Sequence, residues 1–476
     1  MLALFALISP TFASPISAPA TISAPDSGPA TPDPAAIHYN PAAIGASKGV
    51  DGMFDLQLSQ IDVNVTTTRN DGVDPNTGEK YKASNAHVLV PVGLVGITWA
   101  PFKWGAIGFA ATDSFVGGGD YSGQETEWQK KYKDGKEPKY RANTRYAGIN
   151  TQIVTLALMP ALAITPIEGV HVGGGFSYVL DKVELTKASD PLGSEGHGFG
   201  DGEENAYVND VILSAEASGG HTAWNAGVFV DRWKLLQVGA SYSSGGTIDA
   251  EGDANVHAPD FIAEGSGAVD IDGKFTFKMP LAPVVRFGAA SQINEKLRVG
   301  ATVEYYMWKD CCGGKDGDAA ITLNSKDGDP IGAEDGLALE VADKIYSPRR
   351  LWNALDISAN GGYWVTDAFW VGARLGYKQY AVPDYAVNAT NIDFDVYGGT
   401  LAARYRFAKK YTVGLAYTKN ILGTRVIKNS AWDVRDPEDS DYKDDRFTTV
   451  APYNASANGT YTANNNVFGL RLGVDL

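Results

Sequence analysis

The chain has 476 residues, 44% of them hydrophobic and 20% charged, with 54 Gly, 23 Tyr, 18 Phe and 10 Trp. That composition can bury ample apolar surface, which excludes disordered, collagen-like and coiled-coil classes. The formal charge of -16 has the wrong sign for a phosphate-binding surface, so no nucleic-acid partner is expected, and two adjacent cysteines, Cys311 and Cys312, cannot build a four-ligand zinc site.

Residues 1–18 begin MLALFALISPTFA, a short apolar run followed by small residues. It reads as a secretory signal shortened at its start, with cleavage near Ala13 or Ala18. The Pro/Ala/Ser stretch that follows to Pro34 is too rich in proline for a helix or a central strand, and is either a linker or an irregular plug. Beyond it the hydrophobic pattern has period two. Leu297, Val299, Ala301, Val303 and Tyr305 share one face against Arg298, Gly300, Thr302 and Glu304; Phe369, Val371, Ala373 and Leu375 alternate likewise with Trp370, Gly372 and Arg374. The last strand puts Phe468, Leu470, Leu472, Val474 and Leu476 on one face and Arg471 and Asp475 on the other. Tyr146 to Ile167 is uncharged and long enough for a transmembrane helix, but Pro160 and Pro166 would interrupt it, so it too is read as strand.

Strands are expected near 53–69, 85–100, 104–116, 145–164, 168–187, 220–231, 234–250, 268–292, 295–309, 352–365, 368–381, 392–407, 411–428 and 462–476. Tight links, such as Pro101 to Lys103 and Asn294 to Lys296, take turns with long polar ones, such as Gly117 to Thr144, Asp310 to Arg350 and Val382 to Asn391. This alternation is the mark of a fourteen-stranded antiparallel transmembrane β-barrel in an outer membrane, with short periplasmic turns, long outer loops and both termini in the periplasm. Lipid cannot satisfy an open sheet edge, so the first strand must pair the last, and a monomer is expected. Trp99, Trp104, Trp233, Trp308, Trp352 and Tyr411, all beside turns, are expected to form interfacial girdles.

The segment His38-Tyr39-Asn40-Pro41-Ala42-Ala43-Ile44-Gly45 resembles the hatch of the FadL-type outer-membrane transporters, importers of long-chain fatty acids and aromatic hydrocarbons. The resemblance runs on in order through Thr222 to Val228, Phe275 to Pro280, Gly361 to Tyr363 and Ala457 to Tyr461. It implies a hatch or plug over 19–49, centred on Asn40, Pro41 and Ala42, inside a barrel formed by 50–476. It also implies uptake of a hydrophobic molecule that binds in the lumen and leaves sideways through a gap at the third strand. Gly105 and Gly108 are the candidates for that opening, because glycine permits kinks. Lys182 and Lys187, at the end of the fifth strand, are the candidates to hold a carboxylate head group.

No cofactor is expected. Asp316, Asp318, Asp327 and Asp329 repeat a Lys-Asp-Gly-Asp pattern whose Asp-x-Asp spacing offers oxygens to Ca²⁺, which could bridge lipopolysaccharide phosphates; a solvated acidic loop is the competing account. No Gly-x-Ser-x-Gly elbow accompanies the six scattered histidines, so the chain is not read as an enzyme. The rival function is a gated or open diffusion porin. The pattern leaves fatty acid and aromatic hydrocarbon both open as ligands.

Overall fold

A computed structural model describes residues 24–67, 84–122, 144–189, 211–233, 235–258, 268–314, 317, 319–329, 331, 344–347, 349–430 and 457–476. The signal expected at 1–18 lies outside these, as do residues 19–23.

Fourteen antiparallel strands close into a barrel. They are β1 (Gly49–Thr67), β2 (Ser84–Phe102), β3 (Gly105–Asp120), β4 (Asn150–Ile167), β5 (Val170–Ser189) and β6 (Val211–Trp233). Next come four interrupted strands: β7 (Leu236–Ser243, then Gly246–Ala258), β8 (Val269–Leu281, then Val284–Gln292), β9 (Leu297–Tyr306, then Ala319–Ser325) and β10 (Lys344–Ser347, then Ala354–Trp364). Completing the wall are β11 (Phe369–Lys378), β12 (Val396–Phe407), β13 (Tyr411–Leu422, then Arg425–Ile427) and β14 (Gly459–Asp475). Pairing of β1 with β14 from Asp51↔Asp475 to Thr67↔Gly459 removes the edge that hydrocarbon would leave unsatisfied. Asn150–Ile167 is a strand, so the helix considered for that stretch is replaced by a segment whose backbone groups pair with β3 and β5.

Period two places alternate residues on opposite walls. Leu162, Ile164, Phe176, Tyr178, Phe287, Leu375, Leu401, Leu415, Phe468 and Leu472 are exposed on the outer, lipid-facing side. At the rim of the short turns Trp99, Trp104, Trp233 and Tyr411 are exposed, as the girdle reading requires; Trp352 is also exposed. Trp308 is the exception. It is 2% exposed and packs inside, because it lies not in β9 but in a helical turn, Trp308–Cys312, that folds over the lumen.

The inner wall has two zones. Toward the short turns it carries polar groups, among them Asp55, Gln57, Arg286, Thr302 and Glu304, all buried. Toward the long loops it is apolar: Ile61, Val63, Val88, Val90, Val183, Leu185, Ile248, Val256, Phe275, Ile321 and Leu323 join one buried cluster. The connection between β11 and β12, expected as a long polar outer loop, turns into this zone instead, with Val382, Val387 and Ile392 at 0% exposure. Asp393 makes the inward course possible by accepting the N–H groups of Ala381 (2.6 Å) and Val382 (3.0 Å), which burial would otherwise leave unpaired.

Candidate functional site

The N-terminal segment from 24 to 48 runs through the polar zone. It forms one short helix, α1 (Ala36–Tyr39), and a 3-10 turn, Pro41–Ala46. Asn40 joins the two in extended backbone; its Oδ1 accepts the Ala42 N–H at 3.2 Å, and Pro41 at the start of the turn has no N–H to strand. The Asn40 amide also donates to the carbonyls of Pro29 (2.9 Å) and Val228 on β6 (3.0 Å). Ala42 lies directly against β5: a Cβ on Gly173 would come within 2.6 Å of the Ala42 nitrogen, so only glycine admits the turn. The barrel reaches back through Asn225, whose amide donates to Ile37 O at 2.8 Å, and Ser241, whose hydroxyl donates to Tyr39 O at 2.5 Å.

Charges complete the attachment. Arg404 pairs with Asp26, Arg471 lies 3.6 Å from Asp33, and Arg298 donates to Ala30 O at 2.8 Å. Burial raises the Asp26 pKa, but Arg404, Arg471 and Arg298 outweigh it and hold the carboxyl below its ordinary value. His38 is held well below its ordinary value by burial and by the neighbouring Arg286.

Above this segment lies a cavity that opens partly to solvent. His38 and Arg286 form its floor, Met159, Val179 and Val284 line its sides, and Trp308 stands in its wall. Arg286 donates to Glu304 (3.0 Å) and to Ser243 (2.7 Å), and its Nη2 lies 3.4 Å from His38 Nε2. His221, also in the wall, lies 2.8 Å from Asp181.

The cavity also reaches Ser114 and Phe115, where β3 leaves the regular sheet. β2 and β3 pair only from Phe102↔Gly105 to Leu94↔Thr112, although β2 continues beside β1 up to Ser84 and β3 continues beside β4 up to Asp120. A bulge between Asp113 and Phe115 marks the parting. Beyond it Tyr121 donates to the carbonyl of Ala389 in the inward β11–β12 connection at 3.2 Å, so the upper end of β3 is tied to the lumen filling. Gly118, at φ +132, provides the backbone conformation that this course demands. Gly105 and Gly108, the candidates read from the sequence, lie elsewhere: both pair on each side, and Gly108 faces Ile37 at 2.7 Å from where a Cβ would be. In the sequence, the parting of β2 and β3 coincides with the Thr112-Asp113-Ser114 polar run inside an otherwise apolar strand.

The remaining candidates are dispersed. Lys182 faces outward, with Phe176, Tyr178 and Leu180, and binds Glu184 (2.8 Å) and Glu216 (3.0 Å), so a lumenal carboxylate is out of its reach. Strand parity puts it there. Lys187 has the opposite parity and shares the inner face of Val183 and Leu185 near the strand's end. Asp327 and Asp329 are exposed, Asp316 and Asp318 lie outside the described residues, and among the described residues no acidic, His or Cys group could hold a metal ion. Cys311 and Cys312 are joined by a disulfide.

The sequence model of the family described as outer membrane protein transport protein (OMPP1/FadL/TodX) matches residues 19–472. Among solved structures, a Pseudomonas aeruginosa FadL homologue is 16% identical with a TM-score of 0.71, over 98% of this chain and 99% of that chain. The P. putida toluene transporter TodX is 14% identical with a TM-score of 0.63, over 93% and 94%. For the Ralstonia pickettii toluene transporter TbuX the values are 14% and 0.59, over 96% and 97%. At such identities the likeness is one of fold. No curated protein matches the chain.

Proposed function

The chain belongs to the OMPP1/FadL/TodX family of outer-membrane transport proteins, transporters of hydrophobic compounds, and on that premise we propose the route its ligand takes. A hydrophobic molecule enters from the long-loop side, rests in the cavity above the N-terminal segment, and leaves through the wall where β3 parts from β2. The segment at 24–48 serves as the plug that denies it the straight path. The observation that carries this reading is the apolar inner wall of the long-loop half, continuous with a cavity that reaches Ser114 and Phe115 at the parting. A diffusion porin needs a lumen that holds water, and a wall of Ile61, Val88, Leu185, Val256 and Phe275 repels it.

Deletion of Ser114 tests the route. It removes the residue that is extra against β4 and gives β3 the regular course that would carry it on beside β2. Uptake of labelled dodecane, 2-dodecanone and dodecanoate is measured in a transporter-deficient Gram-negative host, alongside surface expression. Expected is accumulation of at least one probe with the native chain and its loss, with binding retained, in the deletion variant. Equal uptake by a well-expressed deletion variant would overturn lateral exit.

A further inference from the structure

The polar groups of the cavity carry an inference about ligand chemistry, which rests on the transport reading above. Among the described lining residues the groups able to bear positive charge are Arg286, His38 and His221. Arg286 is buried against Glu304 at 3.0 Å, both side chains 5% exposed. His221 is buried against Asp181 at 2.8 Å, and His38 presents a neutral Nε2 toward Arg286. A carboxylate ligand would have to displace Glu304 or Asp181 and leave a buried charge without its partner, a costly exchange. A plain hydrocarbon meets a different penalty.

That penalty lies at the interruption of β7. Ser243 ends the first part of β7, and Ser244 and Gly245 fill the gap before Gly246, beside the interruption of β8 at Ala282 and Pro283; Ser243 to Gly246 and Ala282 line the cavity. Ser243 Oγ accepts from Arg286 Nη1 at 2.7 Å, and Ser244 Oγ accepts from the Trp224 N–H at 2.9 Å. A hydroxyl has one proton to give, and among the described residues neither serine gives its proton to an acceptor. What both retain is a donor, and a hydrocarbon would cover these donors without satisfying them.

We propose that Ser243 and Ser244 form a recognition subsite for an uncharged hydrophobic ligand bearing an acceptor oxygen, such as a ketone, ester or ether. The oxygen accepts from one or both hydroxyls, and the hydrocarbon body lies against Phe115, Met159, Val179 and Val284.

The test is binding of dodecane, 2-dodecanone and dodecanoate to the full chain in detergent at pH 8, measured by calorimetry on the native protein and on the S243A/S244A variant. The native protein is expected to prefer 2-dodecanone over dodecane by about fivefold, the worth of a net hydrogen bond, and over dodecanoate as well. The double variant should bring the ketone-to-alkane ratio close to one while leaving dodecane binding in place. Partition into micelles is common to both proteins and drops out of that comparison. Tightest binding of dodecanoate, equal binding of ketone and alkane by the native chain, or an unchanged ratio in the variant would each overturn the proposal. Failure of all three probes to bind would instead overturn the cavity as a transport site, and the subsite with it. If the double variant does not give a heat-modifiable barrel, S244A, which leaves the Arg286 contact intact, is read by the same ratio.

Discussion

The carboxylate of Asp113 accepts the backbone N–H of Gly93 at 2.8 Å, at the point where the ladder between β2 and β3 ends. Thr112 donates its hydroxyl to the Gly93 carbonyl at 3.0 Å, so both polar groups that the missing strand pair would have satisfied are capped by side chains. Lipid offers no substitute. Asp113→Ala should therefore lower stability by about 1–3 kcal/mol, the cost of one buried unpaired donor. Urea titration of the barrel, followed by tryptophan fluorescence, checks it; a midpoint equal to that of the native protein would mean that another group serves Gly93.

Gly108 faces Ile37 and Ile44 of the N-terminal segment. A bulky side chain there pushes the segment out of the lumen without touching the parting beyond Thr112. Gly108→Trp should raise ion conductance in planar bilayers, and Gly173→Val, which intrudes on Ala42, should do the same. Conductance at the native level in both variants would count against occlusion by the segment.

Acid should loosen the same attachment. His38 is held neutral when docked, because burial and Arg286 lower its pKa well below 6.5. The released segment binds a proton near pH 6.5 while the docked one does not, so docking is at full strength above that pH and weakens steadily below it. Asp26 adds a second loss at lower pH: its docked pKa lies below 3.8, so the stabilisation from Arg404 is present above 3.8 and disappears as pH falls through the lowered value. Conductance should rise between pH 7 and pH 5, and His38→Asn should flatten that rise.

Glu304 accepts from both Arg286 (3.0 Å) and the Tyr306 hydroxyl (3.1 Å), two residues that line the cavity. Glu304→Ala leaves a buried guanidinium uncompensated and should cost about 3–5 kcal/mol, whereas a double Arg286→Met, Glu304→Met variant should recover most of it. Denaturant midpoints of the single and double variants decide the matter, with additive losses as the contrary outcome.

Lys182 sits half-exposed between Glu184 and Glu216 on the outer wall. Surface pairs of this kind contribute about 1 kcal/mol or less. Lys182→Ala should leave ligand binding and uptake within about twofold of native, and a selective loss of dodecanoate binding would restore the lysine as a head-group site.

The sequence by itself determined the wall of this protein. Period-two alternation is local, so Phe468, Leu470 and Leu472 could be assigned to lipid, and alternating short and long connections set the strand number, from neighbouring residues alone. The Asn40-Pro41-Ala42 motif was singled out by its resemblance to the family's hatch and not by a local pattern, although the capping bond it makes spans only two residues. What only the tertiary structure decided is where the wall is interrupted and what fills it. The Asp113 contact to Gly93 crosses 20 residues and the Tyr121 contact to Ala389 crosses 268, so no local pattern marks them. Trp308, beside a strand end like the girdle tryptophans, turned inward because the chain after it folds over the lumen, and Lys182 turned outward because parity is inherited from Phe176 and Tyr178. Which neighbour a strand abandons follows from register across the closed sheet, a property that exists only once the first and last strands have met.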